Sequence, residues 1–127
     1  MGEVRALIVD DSSVMRKIVE RSLRQAGVES LVVFEAGSGA EGLEVLKSKS
    51  VDLILSDINM PSMDGLEFVR QIRLQQLASG VPIVMITTES SEEHVKQAIL
   101  AGAKGYIRKP FTADQVKQRV LPLLSAA

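Results

Sequence analysis

Five short apolar runs mark out the chain: Ala6 to Val9, Leu31 to Phe34, Val51 to Leu55, Ile83 to Ile86 and the weaker Gly105 to Ile107. None alternates apolar with polar residues, so each reads as a strand covered on both faces. The segments that separate and follow them carry helical spacing instead. Met15, Ile18, Val19, Leu23 and Ala26 form one stripe, Val69 and Ile72 another, Val95, Ala98, Ile99 and Gly102 a third, and Val116, Val120, Leu123 and Leu124 a last one. Stripes of that kind belong to amphipathic helices. Ser12, Ser38, Ser91 and Thr112 stand where N-caps are expected, and Gly27 supplies the left-handed residue at which the first helix stops.

Strands alternating with helices in this way specify an α/β fold with a parallel sheet, right-handed crossovers and helices on both faces. Five strands suit the flavodoxin-like (βα)5 arrangement, three layers α/β/α, with strand order 2-1-3-4-5. In that order the chain reverses direction between strands 1 and 3, and ligands collect at the carboxyl ends. A chain of 127 residues is the size of one domain. A single domain over residues 1–127 is expected, with only Ser125-Ala126-Ala127 frayed.

Charge narrows the function classes. Fifteen Lys and Arg against sixteen Asp and Glu leave a formal net charge of -1, with the basic residues scattered, so no nucleic-acid or anionic-membrane footprint is expected. The absence of Cys removes disulfides, thiolate catalysis and the commonest structural zinc sites. Near the start only Ala6 to Val9 are apolar before Asp10 and Asp11, so neither a signal peptide nor a membrane span is expected and a cytoplasmic location follows.

What ends each apolar run points to chemistry. Strand 1 leads into Asp10-Asp11, strand 3 into Ser56-Asp57, strand 4 into Thr87-Thr88-Glu89 and strand 5 into Arg108-Lys109-Pro110. In a parallel sheet of this order those ends are neighbours on one edge, so three carboxylates, a hydroxyl and an ammonium should converge. Two carboxylates about 4 Å apart repel by roughly 4 kcal/mol at an effective dielectric near 20. Lys109 offsets part of that, and a hard divalent ion such as Mg2+, which prefers oxygen ligands, offsets more. Such a site accepts a phosphoryl group, with a carboxylate attacking in line. Asp57 is the expected nucleophile because it ends the central strand.

These residues resemble the receiver domain of bacterial two-component response regulators, and within it the single-domain chemotaxis (CheY-like) type. The likeness runs through Leu7-Ile8-Val9-Asp10-Asp11, Asp57-Ile58-Asn59-Met60-Pro61, Met63-Asp64-Gly65, Thr87 and Lys109-Pro110-Phe111. The resemblance implies that Asp57 receives a phosphoryl group from a sensor kinase histidine. It implies that Asp11, Asp57 and the carbonyl of Asn59 bind Mg2+ directly and that Asp10 acts mainly through metal-bound water. Lys109 would pair with Asp57 or its phosphate, and the Lys109-Pro110 bond would be cis. Thr87 would swing toward the phosphoryl oxygen and Tyr106 would turn inward to fill the vacated space. The changed surface of helix 4, strand 5 and helix 5 would then bind a partner. A monomer is expected, with catalysis confined to its own phosphorylation and dephosphorylation.

Thr88 is bulkier than the small residue usual in that family, so the phosphoryl group is expected to be lost more slowly than from a Thr88→Ala variant. Glu89 and Asn59 are expected to tune the same rate. A haloacid-dehalogenase-type phosphatase also uses a strand-end Asp and Mg2+, but needs a second acid two residues on, where this chain has Asn59. A flavodoxin-like electron carrier shares the fold, yet the chain has four aromatic residues in all and no phosphate-cradling loop after strand 1. A phosphorelay intermediate, passing the group on to a histidine phosphotransfer protein, stands beside the reading as a signal acting on a downstream target. Met60 and Met63 read as cover for the site, and His94 as an exposed residue without a role.

Overall fold

A computed structural model describes residues 3–87 and 92–125. The elements follow one another as β1 (Val4–Val9), α1 (Ser13–Gln25), β2 (Leu31–Ala36), α2 (Gly39–Ser48) and β3 (Leu53–Asp57). They continue as α3 (Gly65–Leu74), β4 (Ile83–Thr87), α4 (Glu92–Ala101), β5 (Gly105–Arg108) and α5 (Ala113–Ser125). All neighbouring strands pair in parallel, in the order β2-β1-β3-β4-β5. This is the flavodoxin-like arrangement expected from the alternation of runs and stripes.

The period of two along each strand divides the core. Leu7, Val9, Ile54, Ile83 and Met85 pack with residues of α2, α3 and α4 on one face. Ala6, Ile8, Leu53, Leu55, Val84, Ile86 and Ile107 pack with α1 and α5 on the other. Both sides of the central strands are therefore dry, which is why their sequence runs are continuously apolar.

Helix starts follow local chemistry. Ser12 Oγ accepts from Met15 N, Ser38 Oγ from Glu41 N and Thr112 Oγ1 from Gln115 N, each at 3.2 Å. At Thr112 the cap is reciprocal, because Gln115 Oε1 accepts from Thr112 N at 2.9 Å. The expected caps at Ser12, Ser38 and Thr112 are thus observed. Gly27 follows the end of α1 at φ 101°, as its left-handed role requires.

The element bounds differ in instructive ways. β3 begins at Leu53 and not Val51, because backbone pairing with β1 starts at Ala6 opposite Leu53. Val51 is instead buried under the helices of the first core. β1, β2, β4 and β5 run past their apolar cores to include Arg5, Glu35, Thr87 and Arg108, since the ladder needs only backbone groups. Helix α4 ends at Ala101, and Gly102 has already left it at φ 128°. Thr88, Glu89 and Ser91, and the terminal Ala126 and Ala127, lie outside the described residues.

Candidate functional site

Parallel pairing puts the carboxyl ends of β1, β3, β4 and β5 side by side, and each delivers polar groups there. Asp10 and Asp57 are buried, 2% and 5% exposed, while Asp11 faces solvent. Each of the three offers a carboxylate oxygen, and these oxygens all lie within 4.8 Å of one another. The Lys109 ammonium stands 3.7 Å from Asp57 Oδ2 and 3.8 Å from Asp10 Oδ2.

The two buried acids are held alike. Asp10 Oδ1 accepts from the backbone N–H of Ser12 at 2.9 Å, and Asp57 Oδ1 from that of Asn59 at 3.2 Å. Each carboxylate thus spends one oxygen on the loop that follows its own strand and turns the other toward Lys109. Burial raises the pKa of both above the ordinary carboxylate value. For Asp57 the Lys109 charge and the Asn59 N–H work against that rise, and the nearby Asp11 charge adds to it. For Asp10 the Ser12 N–H is the main opposing influence.

A hard cation fits this arrangement. Among the described residues Asp10 Oδ2 is buried without a hydrogen-bond donor, and the one ammonium at the cluster stands within 4 Å of two of its three carboxylates. A donor set made only of oxygen atoms suits Mg2+ and excludes the preference of softer metals for nitrogen or sulfur.

The backbone around the pocket is equally specific. Gly65 opens α3, and its N–H donates to the Ile58 carbonyl at 2.8 Å. A Cβ at that position would stand 2.7 Å from Ile58 Cα and 2.8 Å from Met85 Cε, and would press on the Asp57 carbonyl. Only glycine lets the first turn of α3 close onto the end of β3. Asp64 caps the same helix, its Oδ1 accepting from Glu67 N at 2.9 Å. The pair Asp64-Gly65 is thus a cap joined to a close approach.

Arg16 is a supporting residue that the strand-end reading did not find. Its Nη1 donates to the Asp10 carbonyl at 2.6 Å and its Nε to Glu35 Oε1 at 2.9 Å, while Lys17 Nζ reaches Glu35 Oε2 at 2.8 Å. The hydrogen bonds from Lys17 and then Arg16 hold the Glu35 carboxyl below its usual range. The contact ties α1 and β2 to the strand end that carries the acids. A basic residue one turn into a helix gives no sequence signal for such a bond.

Of the residues expected at the site, Asp10, Asp11, Asp57 and Lys109 are brought together. Thr87 is buried at the end of β4, and its carbonyl accepts from the Lys109 N–H at 2.6 Å. Asn59 is exposed, with its backbone N–H on Asp57. The Lys109-Pro110 bond is cis. Tyr106 is half-buried on the edge strand β5 opposite Met85, with the Arg119 guanidinium carbon 5.4 Å from its ring centre. Met60 is buried in the first core and Met63 packs on it beside Gly39, so both serve packing as much as cover. His94 is exposed on α4. Thr88 and Glu89 lie outside the described residues.

Comparison with known proteins agrees with this geometry. The family model of the response regulator receiver domain matches residues 6–121. The chemotaxis protein CheY homolog of Campylobacter jejuni is 38% identical over 122 residues, covering 95% of this chain and 92% of that protein. The structure of chemotaxis protein CheY4 of Vibrio cholerae superposes with a TM-score of 0.84 at 36% identity, covering 97% of this chain and all of that one. The signal receiver domain of the putative response regulator NarL from Mycobacterium tuberculosis does so with a TM-score of 0.84 at 30% identity, each chain fully covered.

Proposed function

The chain belongs to the response regulator receiver domain family, and on that premise we propose that it is a phosphorylation-activated signalling switch whose phosphoacceptor is Asp57. The observation that carries this reading is the Lys109 ammonium 3.7 Å from a buried strand-end carboxylate that shares its pocket with two further acids. A free Asp57 oxygen attacks the phosphorus of a phosphohistidine on a sensor kinase. The new P–O bond forms as the P–N bond breaks, and the imidazole leaves with the electron pair. Asn59 N–H holds the other Asp57 oxygen and so fixes which one attacks. Lys109 neutralises charge on the incoming phosphoryl oxygens, and the Thr87 hydroxyl donates to one of them in the product.

Asp11, Asp57 and the carbonyl of Asn59 would hold Mg2+ directly, with Asp10 acting through its hydration shell. When bound, the ion supplies the positive charge that the phosphoryl oxygens need and that Lys109 alone does not provide.

Aspartyl phosphate then biases an existing two-state equilibrium. Thr87 and Met85 alternate onto the face of the sheet that Tyr106 also packs against, so a movement of the Thr87 side chain opens space on Tyr106's own side. Tyr106 turns inward, and the surface of α4, β5 and α5 becomes competent for a downstream target. Moving such an equilibrium from almost fully off to almost fully on takes about 5.5 kcal/mol of differential stabilisation. The likeness to chemotaxis proteins favours a diffusible signal over a relay to a histidine phosphotransfer protein. The protein acts as a cytoplasmic monomer, and each phosphorylation event is stoichiometric.

Incubation with acetyl phosphate tests the reading. A base-labile mass increment of one phosphoryl group should appear with Mg2+, fail to appear with a chelator and be lost in Asp57→Asn. An increment that persists in Asp57→Asn would refute it.

A further inference from the structure

The Asp10 carbonyl carries a bond that phosphoryl transfer itself does not use. Arg16, one turn into α1, donates from Nη1 to that carbonyl at 2.6 Å and from Nε to Glu35 Oε1 at 2.9 Å. The Asp10 N–H donates in turn to the Ala36 carbonyl at 3.1 Å. Both peptide planes that flank Asp10 are therefore held, one by the end of β2 and the other by Arg16, and each plane is rigid. The second plane contains the nitrogen of Asp11. Asp11 lies past the end of β1 and is exposed, so the direction of its carboxylate is inherited from that plane and not from the ladder.

We propose that Arg16 is a positioning residue for the cation site: it fixes the Asp10-Asp11 peptide and so aims the Asp11 carboxylate at the ion, while Glu35 holds the guanidinium in place and cancels its charge. This rests on the reading above in one respect, that Asp11 and Asp57 hold Mg2+. Charge alone argues the other way. A guanidinium bonded to the backbone of a cation site repels a divalent ion, so as a free charge Arg16 weakens the site. Glu35 removes that conflict, because its two oxygens take Arg16 Nε at 2.9 Å and Lys17 Nζ at 2.8 Å. The guanidinium is planar, so anchoring Nε on Glu35 sets where Nη1 points, and its bond to the Asp10 carbonyl is charge-assisted. The Arg16 and Glu35 side chains are 17% and 29% exposed, which keeps the pair largely out of solvent. Groups that orient a metal ligand without touching the metal are worth about 10- to 100-fold in affinity.

Charge and positioning act with opposite signs on one variant. Arg16→Met removes a positive charge, which by charge alone tightens Mg2+, and removes the hold on the Asp10-Asp11 peptide, which weakens it. Titration of isotope-labelled protein with MgCl2, followed through its backbone amide resonances, gives the dissociation constant and shows in the same spectra that the variant is folded. Arg16→Met should bind Mg2+ about tenfold more weakly than wild type, with the Asp11 nitrogen resonance already displaced before the ion is added. Lys17→Met, which removes the same charge without touching the carbonyl, should bind as tightly as wild type or more tightly. Arg16→Met binding within about twofold of wild type, or more tightly, would overturn the proposal. If Arg16→Met does not fold, two variants at Glu35 decide in about 0.5 M NaCl, where distant charges are screened. Glu35→Leu, which removes the acceptor for Arg16 Nε, should bind about threefold more weakly than Glu35→Gln, which keeps one, and equal constants would overturn the proposal. Wild type that binds Mg2+ while Arg16→Met matches it refutes the proposal and leaves the cation site standing, whereas wild type with no saturable response to MgCl2 refutes both.

Discussion

Lys109 Nζ and Asp57 Oδ2 are 3.7 Å apart, beyond a tight charge-assisted hydrogen bond yet close enough for a strong field. The same ammonium is 3.8 Å from Asp10 Oδ2, so it serves two buried acids and is committed to neither. Lys109→Met should therefore slow phosphorylation by acetyl phosphate by roughly a hundredfold, the scale seen when one preorganised donor to a developing charge is removed. The rate of phosphoryl mass gain checks this, and a fall of less than about threefold would remove Lys109 from the chemistry.

Stability of the metal-free protein should fall as pH rises. Burial raises the pKa of Asp10 and Asp57, so between the unfolded value and the folded one the native state binds more protons than the unfolded state. Stability contributed by the protonated forms is present below about pH 4, the unfolded carboxylate value, and is lost as pH climbs through the raised folded values. Glu35, whose pKa is lowered, works in the opposite sense and loses its contribution as pH falls. Urea unfolding in chelator across this window should show a decline that Asp10→Asn or Asp57→Asn flattens. At pH 7 each variant should melt higher than wild type, by about 3 to 6 °C for each kcal/mol of relieved repulsion and desolvation.

Mg2+ should reverse that order. A ligand that binds only the folded state adds about 2.7 kcal/mol at a hundred times its dissociation constant. Wild type should gain melting temperature steadily with MgCl2, while Asp57→Asn and Asp11→Ala gain little. Equal gains in all three, compared at matched ionic strength with NaCl, would place the ion elsewhere.

Gly65 and Gly105 should respond oppositely to the same added methyl. At Gly65 the Cβ meets the backbone of Ile58, so Gly65→Ala should cost about 2 to 4 kcal/mol and impair phosphorylation by displacing the Asp57 end of β3. At Gly105 nothing among the described residues lies within 4 Å of the new atom, so Gly105→Ala should stay within about 1 kcal/mol of wild type, on the stabilising side. Chemical denaturation of the two variants tests the pair.

Most of the frame is legible from residue order, for a physical reason. Burial on both faces of β1, β3 and β4 forces continuous apolar runs, and the parallel order then dictates that Asp10, Asp57, Thr87 and Lys109 end up along one edge. The strand limits are harder to read because the ladder runs on backbone groups, so Arg5 and Glu35 pair as well as Val33 does while Val51, fully apolar, does not. Contacts between elements distant in sequence leave no local trace. The Arg16 bond to the Asp10 carbonyl, the fit of Gly65 against Ile58 and the stack of Arg119 on Tyr106 all depend on the assembled layers.

The central claim is that one carboxylate, at the end of β3, accepts the phosphoryl group. Borohydride converts an aspartyl phosphate to homoserine, so reduction after treatment with acetyl phosphate and Mg2+, followed by peptide mass spectrometry, locates the acceptor directly. Homoserine at position 57 alone, absent when Mg2+ is chelated, is the predicted result. Homoserine at position 10 or 11, or at no position despite a phosphoryl mass gain, would contradict the account.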